Sequence, residues 1–363
     1  MTVKRLNMAA IGCGYWGPNL IRNCIEIPLI SMEAVADLDW ERLTHIHTRY
    51  PGIPLVTDDY TRLFASGIDA VVVSTPPETH YRIVSDCLRH GLHVLVEKPL
   101  ATTSVEAREL IDLAAHHDRV LMVGHTFEYN PAVRALAAAV VSGELGRVHY
   151  IDAVRVGLGL FHPTLNVIWD LAPHDVSILI HILGEVPASV STRGLACVQD
   201  KIEDVAYVTL NFPSGIMAHV RLSWLDPSKT RRITVVGDKK MIVYDDVEAH
   251  EKLKVYDKRV DTIRRTDTFG DFQFAYHYGS IVSPYVRFEE PLRLECLHFA
   301  ESILNSTRPL TDGWNGLRVV EVIEAAQRSL AEGGSRIPVD TTLSSDAPPR
   351  SVGLVPATWP GST

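Results

Sequence analysis

Short apolar runs alternate with segments of helical spacing along the first 125 residues. The run at residues 70–74 has no polar alternation, as expected for a strand that is buried on both faces. Ser104 is predicted as the N-cap of the last helix in this part. The predicted strands are residues 6–11, 31–36, 70–74, 93–96 and 120–123, and the predicted helices are residues 18–27, 40–49, 80–90 and 104–116. Strands separated by helices indicate a parallel, doubly wound sheet.

The hydrophobic pattern changes from about residue 148 onward. Apolar positions then recur with a period of two, and turn signals such as Gly237-Asp238 separate the runs. Two helical segments follow near the C-terminus. The strands predicted here are residues 204–212, 215–225, 232–236 and 241–244, and the helices are residues 291–305 and 315–332. This half of the chain is predicted to contain a large, mostly antiparallel sheet with one face packed on helices.

Composition and charge exclude several classes of protein. The 363 residues carry a net charge of -9, which argues against a nucleic-acid partner because phosphate binding needs concentrated positive charge. The hydrophobic content of 46% supports a buried core and excludes wholesale disorder. No apolar stretch is long enough for a membrane span, and the N-terminus does not read as a secretory signal. The five cysteines are scattered, which predicts no metal framework and a reducing, cytoplasmic location.

Three glycines follow the first predicted strand with the spacing G-x-G-x-x-G. Gly12 permits a tight turn, Gly14 lets the backbone approach a pyrophosphate, and Gly17 lets the helix pack close to the strand. The intervening Tyr15 and Trp16 belong to the same loop. A turn with no ligand is the plainer alternative, but the strand before the loop and the helix after it favour a dinucleotide site.

Asp37 ends the second predicted strand, where the carboxylate that binds an adenosine ribose is expected. Its negative charge would repel a 2′-phosphate, so NAD is favoured over NADP. Arg42 complicates this prediction, since an arginine is able to bind that phosphate. A solvated helix residue is the preferred interpretation of Arg42.

Glu97-Lys98-Pro99 ends another buried strand. Ligands of open parallel sheets bind beyond the carboxyl ends of the strands, so Lys98 lies where the reactive end of a cofactor is expected. An exposed loop lysine is the alternative, and the sequence leaves open whether the bond to Pro99 is cis.

A second candidate site surrounds Pro173, which fits best near the start of a helix and places that start around Asp170. Asp170 and His174 are four residues apart and share one face of this helix. A carboxylate beside an imidazole suits general acid–base chemistry. The alternative is equally supported: Asp170 is then an N-cap, and His174 packs on an apolar stripe.

Taken together, these motifs resemble the glucose–fructose oxidoreductase, inositol dehydrogenase and rhizopine-catabolism (Gfo/Idh/MocA) family. The resemblance covers roughly residues 5 to 340. The sequence around Asp170 is most similar to bacterial members whose genes lie with those of sugar and polysaccharide biosynthesis. The segments that carry it are Gly12–Gly17, Asp37, residues 75–80, residues 97–99, residues 170–174 and residues 317–321.

The resemblance implies an NAD-binding Rossmann domain at residues 1–125, a substrate and oligomerisation α+β domain at residues 126–340 and a loose tail at residues 341–363. It implies catalytic roles for Lys98, Asp170 and His174. It also implies a homodimer or homotetramer formed through the second sheet. The cofactor-binding residues expected are Gly12, Gly14, Tyr15, Trp16, Gly17, Asp37, Arg42, Ser74, Thr75, Pro76, His80, Glu97 and Lys98.

Further polar and aromatic residues at the junction of the two predicted domains suit a sugar pocket, although loop residues that cap one another are the plainer alternative. The expected substrate-binding residues are His125, Tyr129, Arg155, Asn166, Trp169 and His174, with Glu128, Asn130 and His162 nearby.

The predicted function is NAD-dependent hydride transfer to or from a secondary hydroxyl or ketone of a sugar. By resemblance, the substrate is a nucleotide-linked hexose oxidised at C3, and inositol or a free sugar is the alternative. A glycoside hydrolase that uses transient oxidation is a second class. A nucleotide-sensing binding protein is a third, against which Lys98, Asp170 and His174 argue.

Overall fold

The computed structural model of the chain describes residues 5–264 and 272–348. Its contacts divide these residues into two compact units. The first unit comprises residues 5–130, Glu289–Glu324 and 340–348, and the second comprises most of Pro131–Phe288 together with Ala325–Val339. The predicted tail continues beyond residue 348 and there lies outside the described residues. The domain limits proposed from the sequence stay a prediction.

The secondary structure alternates in the first half and is rich in strands in the second. The strands are β1 Leu6–Ile11, β2 Ile30–Ala36, β3 Leu55–Thr57, β4 Ala70–Val73, β5 His93–Glu97, β6 Leu121–Gly124, β7 Val148–Val156, β8 Ser189–Leu195, β9 Val205–Asn211, β10 Met217–Ser223, β11 Thr230–Gly237, β12 Met241–Asp245, β13 Leu253–Arg264, β14 Phe272–Val282 and β15 Ile337–Pro338. The helices are α1 Gly17–Glu26, α2 Trp40–Arg49, α3 His80–Arg89, α4 Ser104–His116, α5 Pro131–Val141, α6 Val167–Leu183, α7 Pro291–Leu304 and α8 Gly313–Ala331.

The first unit contains a six-stranded sheet with the order β3-β2-β1-β4-β5-β6. Every neighbouring pair is parallel, so the predicted doubly wound fold is confirmed. All four residues of β4 are fully buried, which explains why this strand has no polar alternation. The strand β3 was not predicted, because its three residues at the sheet edge carry too short a pattern.

One helix cap in the first unit differs from the prediction. The N-cap of α4 is Thr103, whose Oγ1 accepts a hydrogen bond from the Glu106 N–H at 3.2 Å, and Ser104 is the first helical residue. The prediction of Ser104 as the cap was therefore wrong by one position. Thr103 has a glutamate three residues later, which is the capping-box spacing that Ser104 lacks.

The second unit contains a nine-stranded sheet with the order β14-β13-β12-β11-β7-β10-β9-β8-β15. Only the pair of β7 and β10 is parallel among its described strands, so the predicted mostly antiparallel sheet is confirmed. The helices α5 and α6 pack on it. On β10, Ala218, Val220 and Leu222 are buried while Met217 is exposed, as the period of two predicts.

The strands β13 and β14 form a long hairpin at one edge of this sheet and were not predicted. Leu253 and Val255 at the start of β13 are buried, but the later described residues of both strands are partly or fully exposed, Tyr276 and Tyr278 among them, so the hydrophobic alternation is short. Among the described helices, none combines the length and the apolar character that a membrane span requires.

Candidate active site

The turn after β1 approaches the end of β4 so closely that it excludes side chains. Gly12 has a φ of +97°, and a Cβ at this position would lie 2.8 Å from the main-chain carbonyl of Ser74. A Cβ at Gly17 would overlap the Gly12 carbonyl. The Ser74 hydroxyl donates to the Gly12 carbonyl at 2.9 Å. These contacts give the first and third glycines the roles that the sequence predicts.

Gly14 faces an open cleft of about 470 Å³. Trp16 is the N-cap of α1, and its indole makes no capping hydrogen bond to the first turn of the helix. Tyr15 is exposed at the rim. These features fit the pyrophosphate of a dinucleotide. The cleft is lined by Cys13, Gly14, Tyr15, Pro18, Asp39, Glu41, Arg42 and His45.

The Asp37 carboxylate ties the glycine turn to the segment after β2. Its Oδ2 accepts a hydrogen bond from the Cys13 N–H at 2.6 Å, and its Oδ1 accepts one from the Asp39 N–H at 2.8 Å. Burial, followed by this carboxylate, raises the pKa of the Cys13 thiol to about 12, so the thiol stays neutral. Asp37 is thus held beside the cleft by two main-chain hydrogen bonds.

Arg42 lies between two carboxylates. Its Nε is 3.2 Å from Asp39 Oδ2, and its Nη1 is 3.9 Å from Asp37 Oδ2. The side chain is half exposed. The guanidinium is therefore engaged with acidic partners of this chain on the side that faces Gly14.

His80 ties together the loops after β4 and β5. It is fully buried, and its Nε2 and Nδ1 contact the carbonyls of Thr75 and Pro99 at 2.9 and 2.8 Å. Burial lowers the pKa of this imidazole. This placement makes His80 a support beneath the loops, and its predicted contact with a cofactor stays a prediction. Pro76 is exposed on the same loop.

The turn after β5 holds Lys98 next to the partly buried carboxylate of Glu97. The Lys98–Pro99 peptide bond is cis, which answers the question that the sequence left open. Glu97 Oε2 accepts a hydrogen bond from the Lys98 N–H at 3.3 Å, and the nearby Trp16 indole acts to lower the pKa of this carboxyl. Burial raises the pKa of Glu97 to about 7, while the Lys98 ammonium opposes that rise. Glu97 therefore connects the glycine loop with Lys98.

The second unit holds the other predicted catalytic residues, on α6. This helix begins at Val167, and its N-cap is Asn166, whose Oδ1 accepts a hydrogen bond from the Trp169 N–H at 3.3 Å. The prediction that the helix begins around Asp170 was wrong, as was the alternative that Asp170 is the cap. Pro173 lies inside the helix, which loses one main-chain hydrogen bond there but continues.

Asp170 and His174 lie one helical turn apart on α6, as predicted, and both are partly buried. The Trp224 indole donates to Asp170 Oδ2 at 3.0 Å and fixes this carboxylate. The rings of Phe161 and His162 pack against Trp224, with centroids 5.6 and 6.0 Å away. The Asp170 carboxylate is therefore fixed by Trp224, which is itself packed in an aromatic cluster.

Arg155 and Asp175 form a buried ion pair that anchors α6 to β7. Arg155 Nε donates to Asp175 Oδ2 at 2.6 Å, and its Nη2 donates to Oδ1 at 3.2 Å. The two side chains are only 6% and 2% exposed. Asp175 directly follows His174, so this pair fixes the rotation of the helix that presents the histidine. Arg155 was predicted to bind substrate; its structural partner here is Asp175.

Three other predicted pocket residues are also buried. Tyr129 is fully buried in the first unit, and its hydroxyl shares a hydrogen bond with Thr311 at 3.1 Å. His125 is buried in the same unit. Asn166 caps α6 and donates to Glu203 and Gln327, both at 2.9 Å. Their predicted contacts with a substrate stay predictions.

Glu295 on α7 is one of several buried acidic residues that the sequence did not point to as site residues. Its Oε2 accepts a hydrogen bond from the Thr126 hydroxyl at 2.8 Å. A signal was present: Glu295 lies three residues after Leu292 and four before Phe299, on the buried stripe of its helix. A charged residue on such a stripe marks a position whose burial needs a specific explanation.

Two family models match the chain and together cover more than half of it. One, described as the oxidoreductase family with an NAD-binding Rossmann fold, matches residues 6–125, and the other, the GFO/IDH/MocA C-terminal domain, matches residues 133–243.

Individual relatives act on different substrates. UDP-N-acetylglucosamine 3-dehydrogenase of Acidithiobacillus ferrooxidans is 33% identical over 46% of this chain and 52% of its own length. The scyllo-inositol 2-dehydrogenase (NAD(+)) of Bacillus subtilis is 25% identical over 91% of this chain and 95% of its own. The solved structure of the A. ferrooxidans enzyme superposes with a TM-score of 0.75 at 22% identity, covering 91% of this chain and 98% of that one, which shows a shared fold.

Asp175→Asn is expected to lower the free energy of unfolding by about 3–5 kcal/mol, because it leaves the buried Arg155 charge without its partner. The matched control is Asp226→Asn, since Asp226 pairs with Arg221, whose side chain is 42% exposed. That variant is expected to lose about 0–1 kcal/mol. Urea unfolding of both variants measures the difference, and equal losses would contradict a stabilising buried pair.

Proposed function

The chain belongs to the Gfo/Idh/MocA family of NAD-binding oxidoreductases, which act on CH–OH groups of sugars and polyols, and from this premise we propose that its substrate is a nucleotide-linked hexose oxidised or reduced at C3. The observation that carries the proposed chemistry is the position of Lys98. It follows β5, two strands from β1 in the order β1-β4-β5, at the edge of the sheet where the glycine turn lies. Ligands of such sheets bind at this edge.

The reaction requires a proton to leave the hydroxyl as hydride leaves the same carbon. When bound, a nicotinamide ring accepts or returns that hydride. His174 takes the hydroxyl proton as general base and returns it in the reverse direction. The Lys98 ammonium donates to the same oxygen and stabilises its developing negative charge. Asp170, fixed by the Trp224 indole, orients the imidazole. The meeting of Lys98 with Asp170 and His174 is part of this proposal.

NAD is the proposed cofactor in preference to NADP. The Asp37 carboxylate lies beside the cleft, and both of its oxygens accept hydrogen bonds from main-chain N–H groups. A 2′-phosphate placed against this carboxylate meets like-charge repulsion. Arg42, the cation able to offset that repulsion, is already engaged with Asp37 and Asp39.

The similarity to the A. ferrooxidans enzyme supports the nucleotide-sugar assignment, but it covers only half of the chain. The similarity to the inositol dehydrogenase of B. subtilis covers nine-tenths of it and favours a cyclitol as the second candidate substrate. We also propose a cytoplasmic homo-oligomer formed through the second sheet, whose surface exposes Tyr207 and Met217 on neighbouring strands.

The wild-type protein is expected to bind NAD at least about tenfold more tightly than NADP, because repulsion at Asp37 costs about 1.4 kcal/mol or more. Asp37→Asn removes the charge and keeps an acceptor oxygen. It is expected to reduce the ratio of the NADP Kd to the NAD Kd. Titration of intrinsic fluorescence gives both Kd values. Asp112→Asn, a change on the exposed side of α4, is the control and leaves the ratio unchanged.

Lys98→Ala and His174→Ala are each expected to lower kcat by about 10²–10⁴-fold while NAD binding stays within about twofold, since both residues act on the proton and the oxygen of the substrate. The matched controls are Lys239→Ala and His149→Ala, whose side chains are exposed. Steady-state NADH absorbance measures kcat. A variant of Lys98 or His174 that keeps near-normal kcat would show that its proposed role is wrong.

In a panel of nucleotide-linked hexoses, free sugars and cyclitols, a nucleotide-linked hexose is expected to give the highest kcat/KM for NADH formation. The reason is that the relative with the higher identity, the A. ferrooxidans enzyme, acts on a nucleotide-linked hexose. Inositol as the best substrate would establish the second candidate instead. Release of reducing sugar without net NADH would point to hydrolysis, and NAD binding without turnover would point to a sensor.

A further inference from the structure

Glu295 has no role in the proposed reaction, yet its carboxyl group is fully buried in the first unit. The Thr126 hydroxyl donates to its Oε2 at 2.8 Å. Its Oε1 is buried and has no hydrogen-bond partner among the described residues. An ionised carboxylate in this position would lack the partners that a buried charge needs.

Glu97 reaches the same region from β5. The sheet register pairs Glu97 with Gly124 at the end of β6. A Cβ at Gly124 would lie 3.0 Å from Glu97 Oε2, so the carboxylate leans across this glycine. Thr126, the partner of Glu295, follows two residues later. Because Gly124 has no side chain, the carboxyl groups of Glu97 and Glu295 both approach the segment from Gly124 to Thr126.

The electrostatics of the two groups agree with this geometry. Burial and then the Glu97 carboxylate raise the pKa of Glu295 well above its usual range. Glu97 has better compensation, from the Lys98 ammonium, the Lys98 N–H and the Trp16 indole. The titratable groups that surround the pair are Cys24 on α1, Lys98 after β5, Glu128 and Tyr129 on the short helix after β6, and Cys296 on α7.

We propose that Glu97 is a positioning residue for Lys98 and that Glu295 is its neutral partner, so that the pair carries one negative charge, located on Glu97. That charge holds the Lys98 turn through the Lys98 N–H and provides a counter-charge for the ammonium. Two ionised carboxylates would repel each other in this buried position. Two protonated ones would take away the negative counter-charge that the pair offers the Lys98 ammonium. The inference rests on the proposed catalytic role of Lys98.

The neutral state of Glu295 is tested on the protein without cofactor, by thermal unfolding between pH 5 and pH 8. A carboxyl that keeps its proton in the folded state loses stability relative to the unfolded chain as pH rises above about 4.3, its unfolded pKa. Glu295→Gln removes this loss, so its Tm relative to wild type is expected to rise steadily across the range. Glu301→Gln, an exposed change on the same helix, is expected to show a constant difference. A constant difference for Glu295→Gln as well would overturn the assignment.

The role of Glu97 is tested by the pH dependence of kcat, with NAD affinity measured in parallel. Wild-type kcat is expected to fall as pH drops through about 7, where Glu97 takes up a proton. Glu97→Gln is expected to lower kcat at least about tenfold, to remove the part of this limb that protonation of Glu97 causes, leaving the part set by the general base, and to leave the Kd of NAD within about twofold. Glu301→Gln keeps the wild-type profile. An unchanged limb in Glu97→Gln, or a large loss of NAD affinity with normal kcat, would overturn the proposal.

These two experiments separate the inference from the proposed function. A wild-type protein that turns over no sugar or cyclitol contradicts the function, yet the unfolding experiment still decides whether Glu295 is neutral. A wild-type protein that is active, with a flat unfolding difference, contradicts only the carboxyl pair.

Discussion

A charged group that leaves water must gain a partner or lose its charge, and this constraint shapes both units of the protein. In the second unit, Arg155 and Asp175 meet it with two parallel hydrogen bonds inside the sheet–helix interface. In the first unit, Glu97 meets it with a lysine, a main-chain N–H and an indole. Each solution lies directly beside a residue assigned to the chemistry, since Asp175 follows His174 and Glu97 precedes Lys98. The proposed catalytic groups are therefore held in place because the charges of their neighbours, Asp175 and Glu97, are compensated.

Local patterns were sufficient to predict most of the fold. The glycine spacing, the apolar run of β4 and the alternation along β10 each reflect a single element, and the structure confirms the parallel and the mostly antiparallel sheet. Errors arose where one local rule was given too much weight. A proline preference placed the start of α6 near Asp170, although Asn166 caps that helix and Pro173 is accommodated within it. The hairpin of β13 and β14 was not predicted because its aromatic residues are exposed and do not form the hydrophobic alternation of a strand with one buried face.

The candidate site was less predictable because the sequence shows residue types but not their burial. His80, Tyr129 and Arg155 are polar residues near motifs, which made them natural candidates for ligand contacts. In the structure each has partners in its own unit: two carbonyls for His80, Thr311 for Tyr129 and Asp175 for Arg155. Only tertiary packing determines whether a polar side chain faces a cleft or supports one. Glu295 illustrates the reverse case, since its position on an apolar helix stripe was visible but no motif included it.

The same reasoning connects the glycine loop to the reactive end of the site. Trp16 belongs to the loop that suits a pyrophosphate, and its indole also acts to lower the pKa of Glu97, whose carboxylate accepts the N–H of Lys98. The glycine loop and the Lys98 turn therefore influence the same carboxyl group within a single unit. A Cβ at Gly124 would lie 3.0 Å from Glu97 Oε2, so the glycine gives that carboxylate its room. In the proposed arrangement, the space at Gly124 and the negative charge on Glu97 together place Lys98.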